Sequence, residues 1–208
     1  LSQGFPDFNG PDDLLKRVGH YVEQGANQYA PMTGVPRLRE AIAEKVKRHY
    51  GRAVSAEDEI TVTSGGTEAL FDALASVVSA GNEVIIFDPA FDSYAPAVRL
   101  NGGIPVHIQL QPPTFKTNWD DLRAAITSKT RLIMLNSPHN PTGMVFDDGD
   151  IAELSSIVRG TDILLIGDDV YEHILFDGRQ HHSFIRTDEL YQRSFNISSF
   201  GKTYHATG

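Results

Sequence analysis

The sequence of 208 residues contains no cysteine. This absence excludes disulfide bonds, thiolate metal ligands and a cysteine nucleophile. Long apolar runs are also lacking, because segments such as 83–87 and 163–166 fall far short of the roughly 20 residues that a membrane-spanning helix needs. No basic segment followed by an apolar stretch is visible near the first residue, as a signal peptide would require. We therefore expect no membrane partner and a cytoplasmic location.

Basic residues are in the minority. The chain has 18 Lys and Arg against 27 Asp and Glu, for a formal net charge of -9. Because nucleic-acid-binding surfaces gather Lys and Arg, we expect no nucleic-acid partner. The chain begins at Leu1 and stops at Gly208, just beyond a glycine-containing motif, so we expect a piece of a longer protein that is truncated at the C-terminal end.

Helix-like and strand-like segments alternate along most of the chain. Apolar residues recur at helical spacing over 11–23, 35–50, 66–80, 93–101, 119–127 and 147–159. Short apolar runs predict strands at 60–63, 83–87, 104–108, 131–135, 163–166 and 194–197. This alternation is typical of an α/β fold whose mostly parallel sheet is sandwiched by helices. Residues 1–33 stand outside it, so we predict an arm or part of a smaller domain there and one large domain over 34–208.

Polar clusters follow five of the predicted strands. They are Ser64–Thr67, Asp88–Phe91, Asn136–Pro141, Asp168–Tyr171 and Ser198–Lys202. Ligands of parallel α/β sheets bind beyond the carboxyl ends of the strands. We therefore expect these clusters to converge on one edge of the sheet. A further pair, His181 and His182, has roughly metal-binding spacing, but its polar surroundings predict a solvated loop without a metal.

Three of the clusters carry groups suited to a cofactor. Gly65, Gly66 and Thr67 lead into a helix whose backbone N–H groups would form an anion site, although such a turn also needs glycine for its shape. Lys202 can form a Schiff base if it is desolvated; the alternative is an ordinary surface lysine. Asp168 ends an apolar strand, and its buried carboxylate would need a pyridinium nitrogen, a helix N-terminus or a salt bridge as its partner.

Five motifs occur together in an order that resembles one known family. They are Tyr29–Gly34, Gly65–Leu70, Ser137–Gly143, Asp168–Tyr171 and Ser198–Thr203. In combination they closely resemble the class I/II aminotransferases of the fold-type-I pyridoxal-phosphate enzymes. The segments Gln3–Phe8 and Asp88–Tyr94 are similar to the branch that contains methionine, kynurenine and glutamine aminotransferases.

The resemblance implies pyridoxal 5'-phosphate as the cofactor and assigns its ring to five residues. Lys202 would carry it as an internal aldimine and then move the proton between the substrate Cα and the cofactor. Asp168 would keep the pyridine nitrogen protonated. Asn140 and Tyr171 would hydrogen-bond the phenolic oxygen, and Phe91 would stack on the ring.

The other matching residues would hold the phosphate and the substrate. Gly65, Gly66, Thr67 and Ser199 would bind the phosphate. Tyr29 would reach the phosphate of a neighbouring subunit, which implies a homodimer. Gly4 would lie near the substrate carboxylate, with Asn140 beside it.

The implied reaction is transamination between an amino acid and a 2-oxo acid, with neutral, sulfur-containing or aromatic amino acids favoured. The family supplies a basic phosphate ligand and a carboxylate-binding arginine from sequence beyond the lysine motif, so we expect these 208 residues alone to be inactive. Two alternatives stay open: a carbon–sulfur β-lyase on the same fold, and a pyridoxal-phosphate-sensing domain of a transcription regulator.

Overall fold

Short runs of aliphatic residues form a five-stranded sheet at the centre of the molecule. The computed structural model describes residues 7–207. Its strands are β1 (Glu83–Asp88), β2 (Ile104–Gln109), β3 (Thr130–Asn136), β4 (Leu164–Asp168) and β5 (Ser194–Ile197). They lie in the order β2-β1-β3-β4-β5, and each pair of neighbours is parallel. The prediction of a parallel α/β sheet is confirmed. No helix within 7–207 is long and apolar enough to cross a membrane.

The helices begin and end within a few residues of the predicted bounds. The longer ones are α1 (Asp12–Glu23), α2 (Pro36–Tyr50), α3 (Gly66–Val77), α4 (Tyr94–Leu100), α5 (Trp119–Ala125) and α6 (Asp148–Val158). Local sequence explains some of these ends: Asp147 caps α6 in a reciprocal pair with Asp150, and left-handed Gly51 ends α2. A 3-10 turn (Phe184–Arg186), α7 (Asp188–Tyr191) and α8 (Phe200–Thr203) were not predicted, because three or four residues are too few to show a helical period.

The sheet is covered on both faces. Side chains alternate along each strand, so Ile85 and Phe87 pack with α5 and α6, whereas Val84 and Ile86 pack with α3 and α4. Strands β3 and β4 repeat this division, with Ile133, Leu135 and Leu165 on the first face and Leu132, Met134 and Ile166 on the second. Burial on both faces is why the central strands are almost continuously apolar.

The predicted strand over 60–63 is wrong. These residues belong to no strand of the sheet. The Val62 amide donates to the Thr33 carbonyl at 3.1 Å, but within the described residues no ladder of such bonds continues it. Strand geometry depends on a hydrogen-bonded neighbour as well as on apolar alternation, and here the neighbour is missing. The glycine segment at 65–67 therefore follows a coil and not a strand.

Helix α1 precedes the elements of the sheet and its covering helices in the chain. Helix α1 buries none of its residues within the described part of the chain, although Leu15, Val18 and Val22 line one side of it as predicted. Further upstream, the Phe8 ring stacks on His205 with centroids 4.2 Å apart, and its carbonyl lies 2.7 Å from His205 Nε2. The proposed boundary between 1–33 and 34–208 stays a prediction.

Leu154 provides a test of the packing of α6 on the sheet. Its side chain is fully buried, whereas Leu100 at the end of α4 is 78% exposed. We expect Leu154→Ala to lower the free energy of unfolding by about 2–5 kcal/mol, because a cavity is left in a close-packed core. Leu100→Ala should change it by less than about 0.5 kcal/mol. Urea denaturation followed by circular dichroism would measure both, and equal losses would contradict the packing described.

Candidate active site

The polar clusters after β3 and β4 meet at the carboxyl edge of the sheet. Asn136 and Asp168 end these neighbouring strands and are paired in register. The Asn136 side-chain amide donates to the Asp168 carbonyl at 2.7 Å, and its Oδ1 accepts from the Asn140 amide at 2.6 Å. Asn136 therefore joins the Asn140 turn to the Asp168 turn. The sequence analysis missed this role, although a polar residue ending a buried strand is a signal for it.

Asp168 is a buried carboxylate at the centre of this edge. Its Oδ2 accepts a hydrogen bond from the Tyr94 hydroxyl, and its Oδ1 accepts from the Val170 amide at 3.3 Å. Burial raises the pKa of Asp168 to about 6, although the Tyr94 and Val170 hydrogen bonds and the Lys202 charge oppose the rise. A carboxylate at this depth is stabilised by a cationic or proton-donating partner.

Tyr94 is a second site residue that sequence reasoning missed. It is the first residue of α4, and its side chain is buried in the core cluster formed with α3. Burial, followed by the Asp168 charge, raises its pKa well above the ordinary value, so the hydroxyl stays protonated and donates. Phe91 lies three residues earlier and meets the Tyr94 ring edge-on, with centroids 5.7 Å apart. The available signal was the position of Tyr94 in the polar segment that follows β1, three residues after Phe91.

Asn140 and Tyr171 line one cleft, as expected if they bind the same group. The turn that carries Asn140 is held from within: His139 is buried, and its Nδ1 lies 2.8 Å from the Thr142 hydroxyl. Burial lowers the pKa of His139 to about 4, so it is neutral near pH 7. The cleft is also lined by Ile174 and Phe176, both of which are partly exposed.

Lys202 lies at the same edge, on α8 after β5. Its Nζ is 5.7 Å from the centroid of the Tyr171 ring, and its side chain is exposed. Ser199 caps α8 by accepting from the Lys202 amide at 3.3 Å. A hydroxyl that accepts one bond can still donate another, so this cap leaves Ser199 able to act as a phosphate ligand.

The start of α3 has the features of an anion site. Gly65 takes a left-handed φ of 89°, which favours glycine, and no side chain in the described part of the chain caps this helix end. A Cβ on Gly66 would lie 3.3 Å from Val170 Cγ1, so Gly66 brings the N–H groups at the start of α3 close to the Asp168 turn. Thr67 is exposed on the first turn.

Tyr29 is not brought to the site within the described part of the chain, where it is fully exposed after α1. Gly4 lies outside the described residues. His181 was predicted to lie in a solvated loop, and this is wrong. It is buried, with Nε2 at 3.3 Å from Asp169 Oδ2, because the segment after β4 folds back over the sheet. His182 is mostly covered and lies 2.7 Å from Asp148.

The whole chain, residues 1–208, matches the family model for aminotransferases of class I and II. The chain belongs to this family, as the motifs predicted. Methionine aminotransferase of Escherichia coli strain K12 is 52% identical over 208 residues, which cover 100% of this chain and 54% of that protein. Kynurenine–oxoglutarate transaminase of Dictyostelium discoideum is 36% identical over 226 residues and is covered to 52%. The chain thus spans about half the length of the curated relatives it matches.

Solved structures of the family share the fold. The structure of YbdL from Escherichia coli, for which a methionine aminotransferase function was identified, superposes with a TM-score of 0.97 at 52% identity, over 100% of this chain and 55% of that one. N-Succinyldiaminopimelate aminotransferase from Mycobacterium tuberculosis gives a TM-score of 0.96 at 39% identity, again over 100% and 55%. The predicted fold class is confirmed.

Pyridoxal phosphate is the cofactor of this family, and the residues at the sheet edge fit it. The buried Asp168 carboxylate suits a pyridinium N–H, and the uncapped start of α3 suits a phosphate. The Lys202 amine lies 5.7 Å from the centroid of the Tyr171 ring. The donor set thus offers one group to each polar part of the cofactor.

The raised pKa of Asp168 predicts how pH affects the cofactor-free protein. The carboxyl has an ordinary pKa of 3.8 and a folded pKa of about 6, so between these values the folded state binds more protons than the unfolded state. The stabilising contribution is present at low pH and is lost as the pH rises from about 4 to 6. A shift of two pKa units corresponds to about 3 kcal/mol in the free energy of unfolding. Asp168→Asn should remove this pH-dependent difference.

Urea denaturation of the wild type and of Asp168→Asn across pH 4 to 6.5 would measure this difference. Comparing the two proteins cancels shared contributions, including that of His139, which acts in the opposite direction. Asp162→Asn, at an exposed carboxyl, is the matched control. A wild-type profile that parallels the Asp168→Asn profile would contradict the burial argument.

Proposed function

We propose that the full-length protein catalyses pyridoxal-phosphate-dependent transamination between an amino acid and a 2-oxo acid. The observation that supports this most is the buried Asp168 carboxylate, held by Tyr94 at the edge where Asn140, Tyr171 and Lys202 also lie. An exposed lysine or a glycine turn alone would be ordinary. A buried acid beside them is costly without a cationic partner. The protonated ring nitrogen of the cofactor used by the aminotransferase family would be that partner.

The chain's own residues take the following roles in the proposed reaction. When bound, pyridoxal phosphate withdraws electrons from the substrate α-carbon. Asp168 accepts a hydrogen bond from the protonated ring nitrogen and thereby keeps that proton in place. Lys202 would hold the cofactor through its amine, and once that amine is free it would accept the proton from the substrate Cα. Asn140 and Tyr171 donate to the phenolic oxygen and orient the ring.

The remaining residues bind and cover the cofactor. Gly65, Gly66 and Thr67 present N–H and hydroxyl donors to the phosphate, and Ser199 adds its hydroxyl. Phe91 is half-buried against Tyr94, and its ring would pack on the face of the cofactor. This packing would limit motion of the cofactor ring and exclude water from that face.

The substrate and the assembly extend the proposal. The relatives are named for methionine, kynurenine, aspartate and aromatic amino acids, and the similarity to the methionine enzyme favours a neutral, sulfur-containing substrate. The exposed Tyr29 suits a residue that reaches the phosphate of a second subunit, as in a homodimer. Gly4 is proposed to lie near the substrate carboxylate. A cytoplasmic location completes the proposal.

A Lys202-dependent absorption band tests this function. The full-length protein mixed with pyridoxal phosphate should develop a long-wavelength band that borohydride traps, with the added mass on the peptide containing Lys202. Lys202→Ala should lack the band, whereas Lys129→Ala, at an exposed lysine, should keep it. A band that is indifferent to Lys202 would overturn the assignment.

Product analysis then tests the reaction. Methionine and a 2-oxo acid should yield the 2-oxo acid of methionine and a new amino acid in equal amounts. A cysteine S-conjugate should be converted in the same way. Pyruvate, ammonia and a thiol released from the conjugate as the main products would instead indicate a β-lyase.

A further inference from the structure

A buried polar cluster lies behind the proposed cofactor site. Glu172 follows Tyr171 in the chain, and its side chain is only 1% exposed. One carboxylate oxygen accepts from Lys45 Nζ at 2.5 Å, and the other accepts from the Tyr50 hydroxyl. Both partners belong to α2, more than 120 residues earlier in the sequence. The cofactor roles proposed above use none of these three residues.

Glu172 also connects to the segment that carries Lys202. The Ser198 side chain contributes, with Lys45 and Tyr50, to lowering the pKa of this carboxylate. Ser198 directly precedes Ser199 and lies four residues before Lys202. The backbone reinforces this connection, because the Asp169 amide donates to the Ile197 carbonyl at 2.8 Å. Glu172 therefore bonds to α2 from within the turn that carries Asp168 and Tyr171, and the Asp169 amide bonds the same turn to the end of β5.

The electrostatics of the cluster favour a fixed arrangement. Burial alone would raise the pKa of Glu172, but the Lys45 charge and the hydrogen bonds from Lys45 and Tyr50 hold it below its ordinary value. Burial and the Glu172 charge raise the pKa of Tyr50, so its hydroxyl stays protonated near neutral pH and donates to the carboxylate. Removing the cation from a buried carboxylate strongly destabilises the folded state. The folded state therefore keeps Glu172 paired with Lys45 and Tyr50.

Other titratable groups lie near the cluster. His173 Nε2 lies 4.0 Å from the carboxylate, and burial lowers the pKa of His173, which leaves it neutral near pH 7. The Arg186 guanidinium lies 5.8 Å from the Tyr50 ring centroid. The His181 ring lies edge-on to the Tyr50 ring, with centroids 6.0 Å apart. Lys45 is therefore the cation in direct contact with Glu172.

We propose that Glu172 is a positioning residue for the cofactor site, which acts by fixing Tyr171 beside the Lys202 amine. Its bonds to Lys45 and Tyr50 hold one side of the turn, and the backbone bond from Asp169 to Ile197 holds the other. The inference rests on the proposed function, since Tyr171 is positioned there to donate to the cofactor's phenolic oxygen. Lys45 and Tyr50 act only through Glu172 and touch neither cofactor nor substrate.

The test uses the pH midpoint of the Lys202-dependent absorption band in the full-length protein with pyridoxal phosphate. A hydrogen bond from Tyr171 to the phenolic oxygen favours the anion and lowers this midpoint, so Tyr171→Phe should raise it. We expect Lys45→Met to raise it in the same direction, by up to about one unit, and to weaken cofactor retention by about tenfold. Lys45→Arg should restore most of both, because it returns a cation to the carboxylate.

Two controls separate positioning from stability. Lys47→Met, at an exposed lysine of the same helix, should leave the midpoint and cofactor retention at wild-type values. Lys45→Met combined with Tyr171→Phe should shift the midpoint no further than Tyr171→Phe alone, because both changes act through one hydrogen bond. Glu172→Gln keeps the shape and loses the charge, and it should shift the midpoint in the same direction.

The outcomes are distinct. A Lys45→Met protein that is less stable to urea but keeps the midpoint of Lys47→Met would overturn the inference and leave Glu172 a purely structural residue. Fully additive shifts in the double variant would overturn it as well, because Lys45 would then act by a route other than Tyr171. A wild-type protein without any Lys202-dependent band would instead reject the proposed function itself.

Discussion

The buried carboxylate of Asp168 constrains the arrangement of the residues around it. It lies at the end of a central strand, where side chains are otherwise apolar and the environment disfavours charge. Tyr94 donates to it from α4, and Asn136 holds its carbonyl from β3. These polar bonds join the loops after three strands of the sheet, so the packing of the core fixes the relative positions of the groups in the site.

A parallel sheet suits such a site because each strand delivers one loop to the same edge. The sheet order changes direction at β1, with β2 on one side and β3 on the other, and ligands of open α/β sheets gather at such points. The Phe91 segment follows β1 and the Asn140 turn follows β3. One loop would therefore supply a ring surface, and the next would supply an amide donor.

The sequence predicted the parts of this structure that depend on local pattern. Apolar runs located the strands of the sheet, and the motifs located Asp168, Tyr171 and Lys202 at its edge. The strand at 60–63 was mispredicted because pairing depends on a distant neighbour. Tyr94, Asn136 and Glu172 were missed as site residues for a related reason: their roles depend on partners up to 127 residues away. The buried His181 shows the same limit, since a polar stretch of sequence gave no sign of the fold-back that covers it.

The buried acid also links cofactor binding to the stability of the fold. A carboxylate whose pKa is raised by burial destabilises the folded state when it is ionised. A cationic ring nitrogen at the same place would remove that cost, so part of the binding energy of the cofactor would appear as folding stability. Tyr94 reduces the cost without a charge, which limits the destabilisation of the cofactor-free fold. The same bond leaves Asp168 ionised more readily, as a pyridinium partner requires.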